Sequence, residues 1–177
     1  MSGKLHAWIS IGAAAAVLVA VLVAAALLLK APALELRAAD GRLLAAFALD
    51  RQEPAFQISY RHSVARLPAI EYFRPGPGGE LELYKSAYQG LGAGLPFGEE
   101  GGTVRLEGGW ILIEGLHRRF PSVTLSPMPL TQHSLKVGGR EVDLAALSGA
   151  RSFSLRIVRR SLLGRLVLGR RMRYIKP

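Results

Sequence analysis

Leu34-Glu35-Leu36-Arg37-Ala38-Ala39-Asp40-Gly41-Arg42-Leu43-Leu44-Ala45-Ala46-Phe47-Ala48-Leu49 sets the class of the fold. Two short apolar stretches, 34–39 and 43–49, flank Asp40-Gly41. An Asp-Gly pair tolerates the positive φ angles of a two-residue hairpin loop, so this stretch predicts two antiparallel strands. The same grammar repeats downstream. Phe56-Gln57-Ile58-Ser59-Tyr60 alternates apolar and polar side chains, and 69–73 is a further short strand. Glu80-Leu81-Glu82-Leu83-Tyr84 alternates with Leu81 and Leu83 on one face. Gly108-Gly109 separates 103–106 from 110–113, and Gly138-Gly139 separates 134–137 from 141–144. Segments 122–125 and 152–158 follow the pattern, the second with Phe153, Leu155 and Ile157 in alternation. Roughly nine or ten short strands, with no ~12-residue helical pattern between them, predict an antiparallel β-sandwich or barrel-like domain and exclude βαβ crossovers. Two stretches break the rhythm. Pro75-Gly76-Pro77-Gly78-Gly79 is a turn, and 89–102 is a glycine-rich loop long enough to suggest more than connection.

Upstream of the hairpin the chain changes character. Residues 7–29 form a run of 23 without a charge, in which Ser10 carries the only polar side chain. As a helix the run is about 35 Å long, against a hydrocarbon core roughly 30 Å thick. Lys4 and Lys30 bracket it, and Trp8 sits at the level of an interfacial aromatic. The expectation is a single N-terminal transmembrane helix, a signal anchor in the lipid bilayer. Ala31-Pro32-Ala33 has the small-x-small form that would permit cleavage after Ala33. Against cleavage, the run exceeds the usual apolar region of about 7–15 residues, and Lys30 intervenes. The domain organisation read this way is an anchor over 1–30, a β-rich globular domain over 31–160 and a basic tail over 161–177. The part after the anchor, about 145 residues, suffices for one compact core. With no cysteine in the chain, disulfides, thiolate metal sites and cysteine nucleophiles are excluded.

The net charge of +10 is unevenly distributed. Residues 1–30 carry +2, residues 31–150 carry −1, and residues 151–177 carry +9 with no acid among them. A nearly neutral domain argues against nucleic-acid binding; a basic C-terminal segment fits a membrane surface or an acidic partner. Leu162, Leu163, Leu166 and Val167 fall at helical spacing. The tail therefore reads either as a basic amphipathic helix at a membrane surface or as a last strand with arginines on its solvent side.

Two segments stand out together: Tyr60-Arg61-His62-Ser63-Val64, followed by Pro68-Ala69-Ile70-Glu71-Tyr72-Phe73, and Gly90-Leu91-Gly92-Ala93-Gly94-Leu95-Pro96. In order and spacing they resemble the bacterial "domain of unknown function 1850" family of membrane-anchored proteins. The resemblance spans about residues 34–160. It implies an exported domain on the extracytoplasmic side of the inner membrane, and association with TRAP transporters of the TAXI type, which import small organic anions with a soluble binding protein. It carries no catalytic residue with it. The flanking charges oppose that orientation, since Lys30, Arg37 and Arg42 follow the apolar run and only Lys4 and the amino terminus precede it. Long domains, however, translocate largely regardless of charge.

Ligand or partner contacts are sought at His62, Ser63 and Glu71 and at Gly92, Gly94, Leu95 and Pro96, with Trp8 and Lys30 at the membrane. If 56–60 and 69–73 are adjacent strands, His62 and Glu71 approach the connecting turn. A His–Glu pair serves as an acid–base dyad, as half of a metal site or as a hydrogen bond that fixes the turn; the structural role is favoured. Ser63 neighbours His62 in sequence, which on a strand puts them on opposite faces, and no Gly-x-Ser-x-Gly elbow supports a nucleophile. The glycines of 90–96 permit close backbone approach and an anion-binding nest. The function expected is a membrane-tethered accessory or binding module, with a TRAP permease, its solute-binding protein or a small organic anion as partner and without a cofactor. The alternatives are a membrane-anchored enzyme using His62 and Glu71, or a purely structural assembly protein.

Overall fold

The computed structural model describes residues 2–63, 66–90, 101–161 and 164, with side chains in the first helix from residue 14 on. Helix α1 (Ser2–Leu28) leads into eleven strands: β1 (Lys30–Ala38), β2 (Leu43–Ala48), β3 (Phe56–Arg61), β4 (Pro68–Pro75), β5 (Leu81–Tyr88), β6 (Thr103–Glu107), β7 (Trp110–Phe120), β8 (Val123–Leu125), β9 (Ser134–Val137), β10 (Arg140–Asp143) and β11 (Phe153–Ser161). They form a four-stranded sheet in the order β2-β1-β11-β8 and a seven-stranded sheet in the order β10-β9-β3-β4-β5-β7-β6. Every pairing is antiparallel. The glycine pairs do what their chemistry requires. Asp40-Gly41, Gly108-Gly109 and Gly138-Gly139 close the hairpins β1–β2, β6–β7 and β9–β10, and the last two pairs take positive φ at both residues.

The inner faces of the two sheets meet in one core. Leu34, Leu36 and Phe47 from the smaller sheet, with Phe153 and Leu155 of β11, pack with Phe56, Ile58, Phe73, Leu81, Leu83 and Leu135 of the larger. Phe56 and Phe73, opposite one another on β3 and β4, stack with ring centroids 5.5 Å apart. The domain is thus a two-sheet sandwich. Among the described residues neither sheet closes into a barrel: β2, β8, β10 and β6 remain edges.

Three elements run further than alternation in the sequence indicates, each for a local reason. β5 continues to Tyr88 through a register shift between Leu83 and Lys85. β7 runs past Gly115, whose φ of +74° absorbs an irregularity, to Phe120. β11 extends to Ser161 because β1 pairs with it along its whole length, from Lys30↔Ser161 to Ala38↔Phe153. That pairing carries the last strand past its expected end at 158, so that Arg159 and Arg160 belong to it along with Arg156. A short helix α2 (Leu144–Ser148) replaces the end of the 141–144 strand, because the Asp143 side chain accepts hydrogen bonds from the backbone of Ala145 and Ala146 and caps it.

The expectation of a transmembrane helix over 7–29 is not supported by the described residues, among which no helix is long and apolar enough to cross a membrane. Only residues 14–28 of α1 have described side chains, about 22 Å of helix. The remaining tail, including Leu162, Leu163, Leu166 and Val167, lies outside the described residues, as does the side chain of Trp8.

Candidate functional site

Strand register decides which polar side chains enter the sandwich. Residues directly opposite one another in antiparallel strands share a face. Ile58 lies opposite Glu71, Glu71 opposite Ser86, and Ser86 opposite Ile113. Ile58 and Ile113 are core residues, so Glu71 and Ser86 also point inward. The next row, Tyr60–Ala69–Tyr88, lies on the same face. The inner face of the larger sheet therefore carries Tyr60, Glu71, Ser86 and Tyr88 at the end where β3 leaves and β4 begins.

Within this cluster the Tyr60 hydroxyl donates to Glu71 Oε1 at 3.2 Å. Burial pushes the Glu71 carboxyl up, against the opposing pull of the Tyr60 hydrogen bond and the Arg118 charge. Burial, then the Glu71 charge and Tyr88, push the Tyr60 phenol above its ordinary range. The Tyr60 ring stacks on the His133 ring at 5.2 Å and 14°. His133 Nδ1 lies 2.8 Å from Thr131 Oγ1, and burial holds its imidazole below the ordinary value, towards the neutral form. Ser86 is 1% exposed, and its hydroxyl has no hydrogen-bond partner among the described residues. An inward hydroxyl without a partner among the described residues, beside a carboxyl that resists ionisation, is costly in a core.

The described ends of the two motif segments meet at this end of the sheet. The β3–β4 loop closes through His62 N–H donating to Leu67 O at 2.9 Å and Arg66 N–H donating to His62 O at 2.8 Å. Arg61 Nε donates to Gln132 Oε1 at 2.9 Å, tying this loop to the segment before β9. The second loop begins beside the first, since Gln89 N–H donates to Pro68 O at 3.0 Å. A Cβ at Gly90 (φ +89°) would lie 2.8 Å from the Leu67 methyl Cδ1. The structure thus brings the bases of both motifs together on one sheet end. Gly92, Gly94, Leu95 and Pro96 themselves lie outside the described residues.

β3 and β4 are neighbours, as the His62–Glu71 reading required, but Glu71 is not at the turn. His62 sits alongside Leu67; Glu71 is four residues further along, about 13 Å at strand rise. Tyr60 is the partner of Glu71 instead. Ser63 is exposed in the loop, and Lys30 is exposed at the start of β1. Among the described residues no three His, Cys, Asp or Glu side chains gather as a metal-binding set. Tyr60, Ser86, Tyr88 and His133 escaped the sequence reading as site residues. The signal for the inward carboxylate was available: Glu71 sits at strand spacing between Ala69 and Phe73, on their apolar face.

The family model for the domain of unknown function DUF1850 matches residues 56–144. The chain belongs to that family. No curated protein and no solved structure matches it. The matched span takes in every strand of the seven-stranded sheet and β8, and stops short of β1, β2 and β11. The matched span is therefore the larger sheet with the Tyr60–Glu71 cluster on it together with β8, and the other three strands of the smaller sheet come from the chain on either side.

Proposed function

We propose that this DUF1850 protein is a membrane-tethered accessory module on the extracytoplasmic face of the inner membrane, serving a TAXI-type TRAP importer. The polar end of its larger sheet binds a small organic anion or the transporter's solute-binding protein. The observation that carries the reading is the placement of Tyr60, Glu71 and the Ser86 hydroxyl, which has no partner among the described residues, on the inner sheet face, at the end where the bases of the two motif segments adjoin. A core built only for stability gains nothing from an inward carboxyl and an unbonded hydroxyl. A binding site gains oriented donors and acceptors in a partly dry setting.

The tether is supported by the sequence of 7–29 and by the surface of α1. Val17, Leu18, Val19, Val21 and Leu22 each lie between 58% and 63% exposed, on all sides of the helix. So much exposed apolar surface marks a helix made for lipid or for a partner. The importer association comes from the family resemblance alone.

The test is purification of the full chain in a mild detergent from its native membrane. A multi-pass permease or its solute-binding protein is expected to accompany it, and Glu71→Ala is expected to weaken that recovery or to abolish a thermal shift given by small carboxylates. A preparation that stays monomeric, with no shift across a broad anion panel, sinks the proposal. A phosphatase fused after Pro177 tests orientation: activity is expected, and a fusion active only as a cytoplasmic reporter overturns the extracytoplasmic placement.

A further inference from the structure

A second polar feature lies on the other sheet, outside the span matched by DUF1850. Where α1 hands over to β1, a cavity of about 490 Å³ is lined by Leu27 and by side chains of β1 and β11. Five cations border it, Lys30, Arg37, Arg156, Arg159 and Arg160, against one carboxylate, Glu35.

Glu35 is 1% exposed. It accepts from Arg37 Nε at 2.9 Å, Arg156 Nη2 at 3.2 Å and Arg160 Nε at 2.8 Å, and also from Arg160 Nη2. A carboxylate has about four lone-pair sites, so Glu35 is saturated and can neutralise no further cation. Its effect is to fix three guanidiniums in place. Each guanidinium has about five N–H donors, and only a minority are used in hydrogen bonds among the described residues. Arg156 Nε is buried without a partner. Lys30 and Arg159 have no carboxylate of their own among the described residues. Among the described residues, Arg37, Arg156 and Arg160 against Glu35 leave +2 on one face of the strand pair, and Lys30 and Arg159, at alternate register positions, add two charges at the rim.

We infer that this cavity binds a phosphate group, supplied by the headgroup of an anionic lipid. Preorientated guanidinium forks match phosphate oxygens in geometry as well as charge. Leu27 in the wall is part of the last turn of the apolar helix, so a spanning α1 sets the cavity at headgroup level, where anionic lipid concentrates cationic side chains. The lipid source rests on the tether proposed above; the phosphate chemistry does not, and inorganic phosphate would use the same donors.

The test uses the full chain in a non-ionic detergent, with the unfolding midpoint read by tryptophan fluorescence. Phosphatidylglycerol in mixed micelles, phosphatidylcholine, inorganic phosphate and sodium chloride at matched ionic strength are titrated separately. Phosphatidylglycerol is expected to raise the midpoint while phosphatidylcholine does not. The Lys30→Gln/Arg159→Gln variant leaves the Glu35 network intact. It is expected to need about tenfold more phosphatidylglycerol, each screened charge near 6 Å being worth about threefold. Glu35→Gln, which removes the one negative charge, is expected to need less. An equal response to inorganic phosphate supports the site with a free anion as its source. If phosphatidylglycerol and phosphate do no more than sodium chloride, or if the double variant titrates like the parent, the inference is overturned. Failure of the tether shows elsewhere, as chain recovered in the soluble fraction without detergent; a soluble chain that still binds phosphate keeps the site.

Discussion

Replacing Glu35 by alanine removes the carboxylate that, among the described residues, alone faces Arg37, Arg156 and Arg160. The loss has two parts: four charge-assisted hydrogen bonds disappear, and Arg37, Arg156 and Arg160 are left to repel one another. Breaking a buried ion pair from one side costs about 3–5 kcal/mol. The arginine side chains are 26%, 43% and 35% exposed, so water screens part of their repulsion and the low end applies, about 3 kcal/mol. For a domain of this size that is a fall of roughly 6–12 °C in the unfolding midpoint. The assay is thermal unfolding of the parent and Glu35→Ala from pH 7 to pH 3. Burial raises the Glu35 carboxyl, but hydrogen bonds from Arg160, Arg37 and Arg156 outweigh it, and the net displacement is downward. A carboxyl lowered on folding stabilises above its unfolded value, about 4.3, and loses that contribution as the pH falls through the folded value. The gap between parent and variant is therefore expected to be full at pH 7 and to shrink below about pH 4. A gap below about 0.5 kcal/mol at pH 7, or one that stays constant to pH 3, refutes the reasoning, because surface substitutions alone fall in that range.

Two further outcomes follow from the other sheet. Glu71 is displaced upward, chiefly by burial, so its folded carboxyl holds its proton while the unfolded one ionises, and stability is lost as the pH rises from the ordinary carboxyl range through the raised value. Glu71→Gln, still able to accept from Tyr60, is thus expected to match the parent near pH 4 and to melt higher at pH 8; a variant less stable at both pH values counts against the inward, reluctant carboxyl. Gly90→Ala places a Cβ 2.8 Å from a Leu67 methyl at a φ of +89°, and is expected to cost about 1–2 kcal/mol from backbone strain alone. Adding Leu67→Ala relieves the contact but not the strain, so full recovery in a chemical-denaturation series would show that the strain argument is wrong.

Much of the sandwich is legible in the sequence because its turns are chemically explicit. Asp40-Gly41, Gly108-Gly109 and Gly138-Gly139 each close a hairpin, and the alternations at Phe56, Ile58 and Tyr60 and at Phe153, Leu155 and Ile157 report the inner face faithfully. What local patterns cannot supply is partnership over distance. Nothing near Lys30 announces that it will lie opposite Ser161, so the last strand runs three residues beyond its expected end at 158 and takes in Arg159 and Arg160. Irregularities hide strand length in the same way: Gly115 interrupts the alternation of β7 without ending it. At the candidate site, sequence adjacency drew attention to His62 and Ser63, whereas register selects Tyr60 and Ser86 as the neighbours of Glu71.

Two buried glutamates and one half-buried glutamate sit in contrasting electrostatic settings. Glu35 and Glu82 are each met by more than one cation, Glu82 by Arg74 at 2.7 Å and Arg119 at 3.6 Å with His117 Nδ1 at 3.1 Å beside them, and both carboxyls are held below the ordinary range. Such groups are settled as anions and act on their surroundings only by fixing arginines. Glu71 is hydrogen-bonded by a phenol, with the Arg118 charge opposing its burial only in part, and is displaced the other way. A donor or a cation arriving beside a carboxyl raised by burial favours its charged form. Glu71 lies within the span shared with the DUF1850 family and Glu35 outside it. The proposed ligand binding at Tyr60, Glu71 and Ser86 therefore falls on the family's shared sheet, and the proposed phosphate binding beside α1 falls on strands outside it.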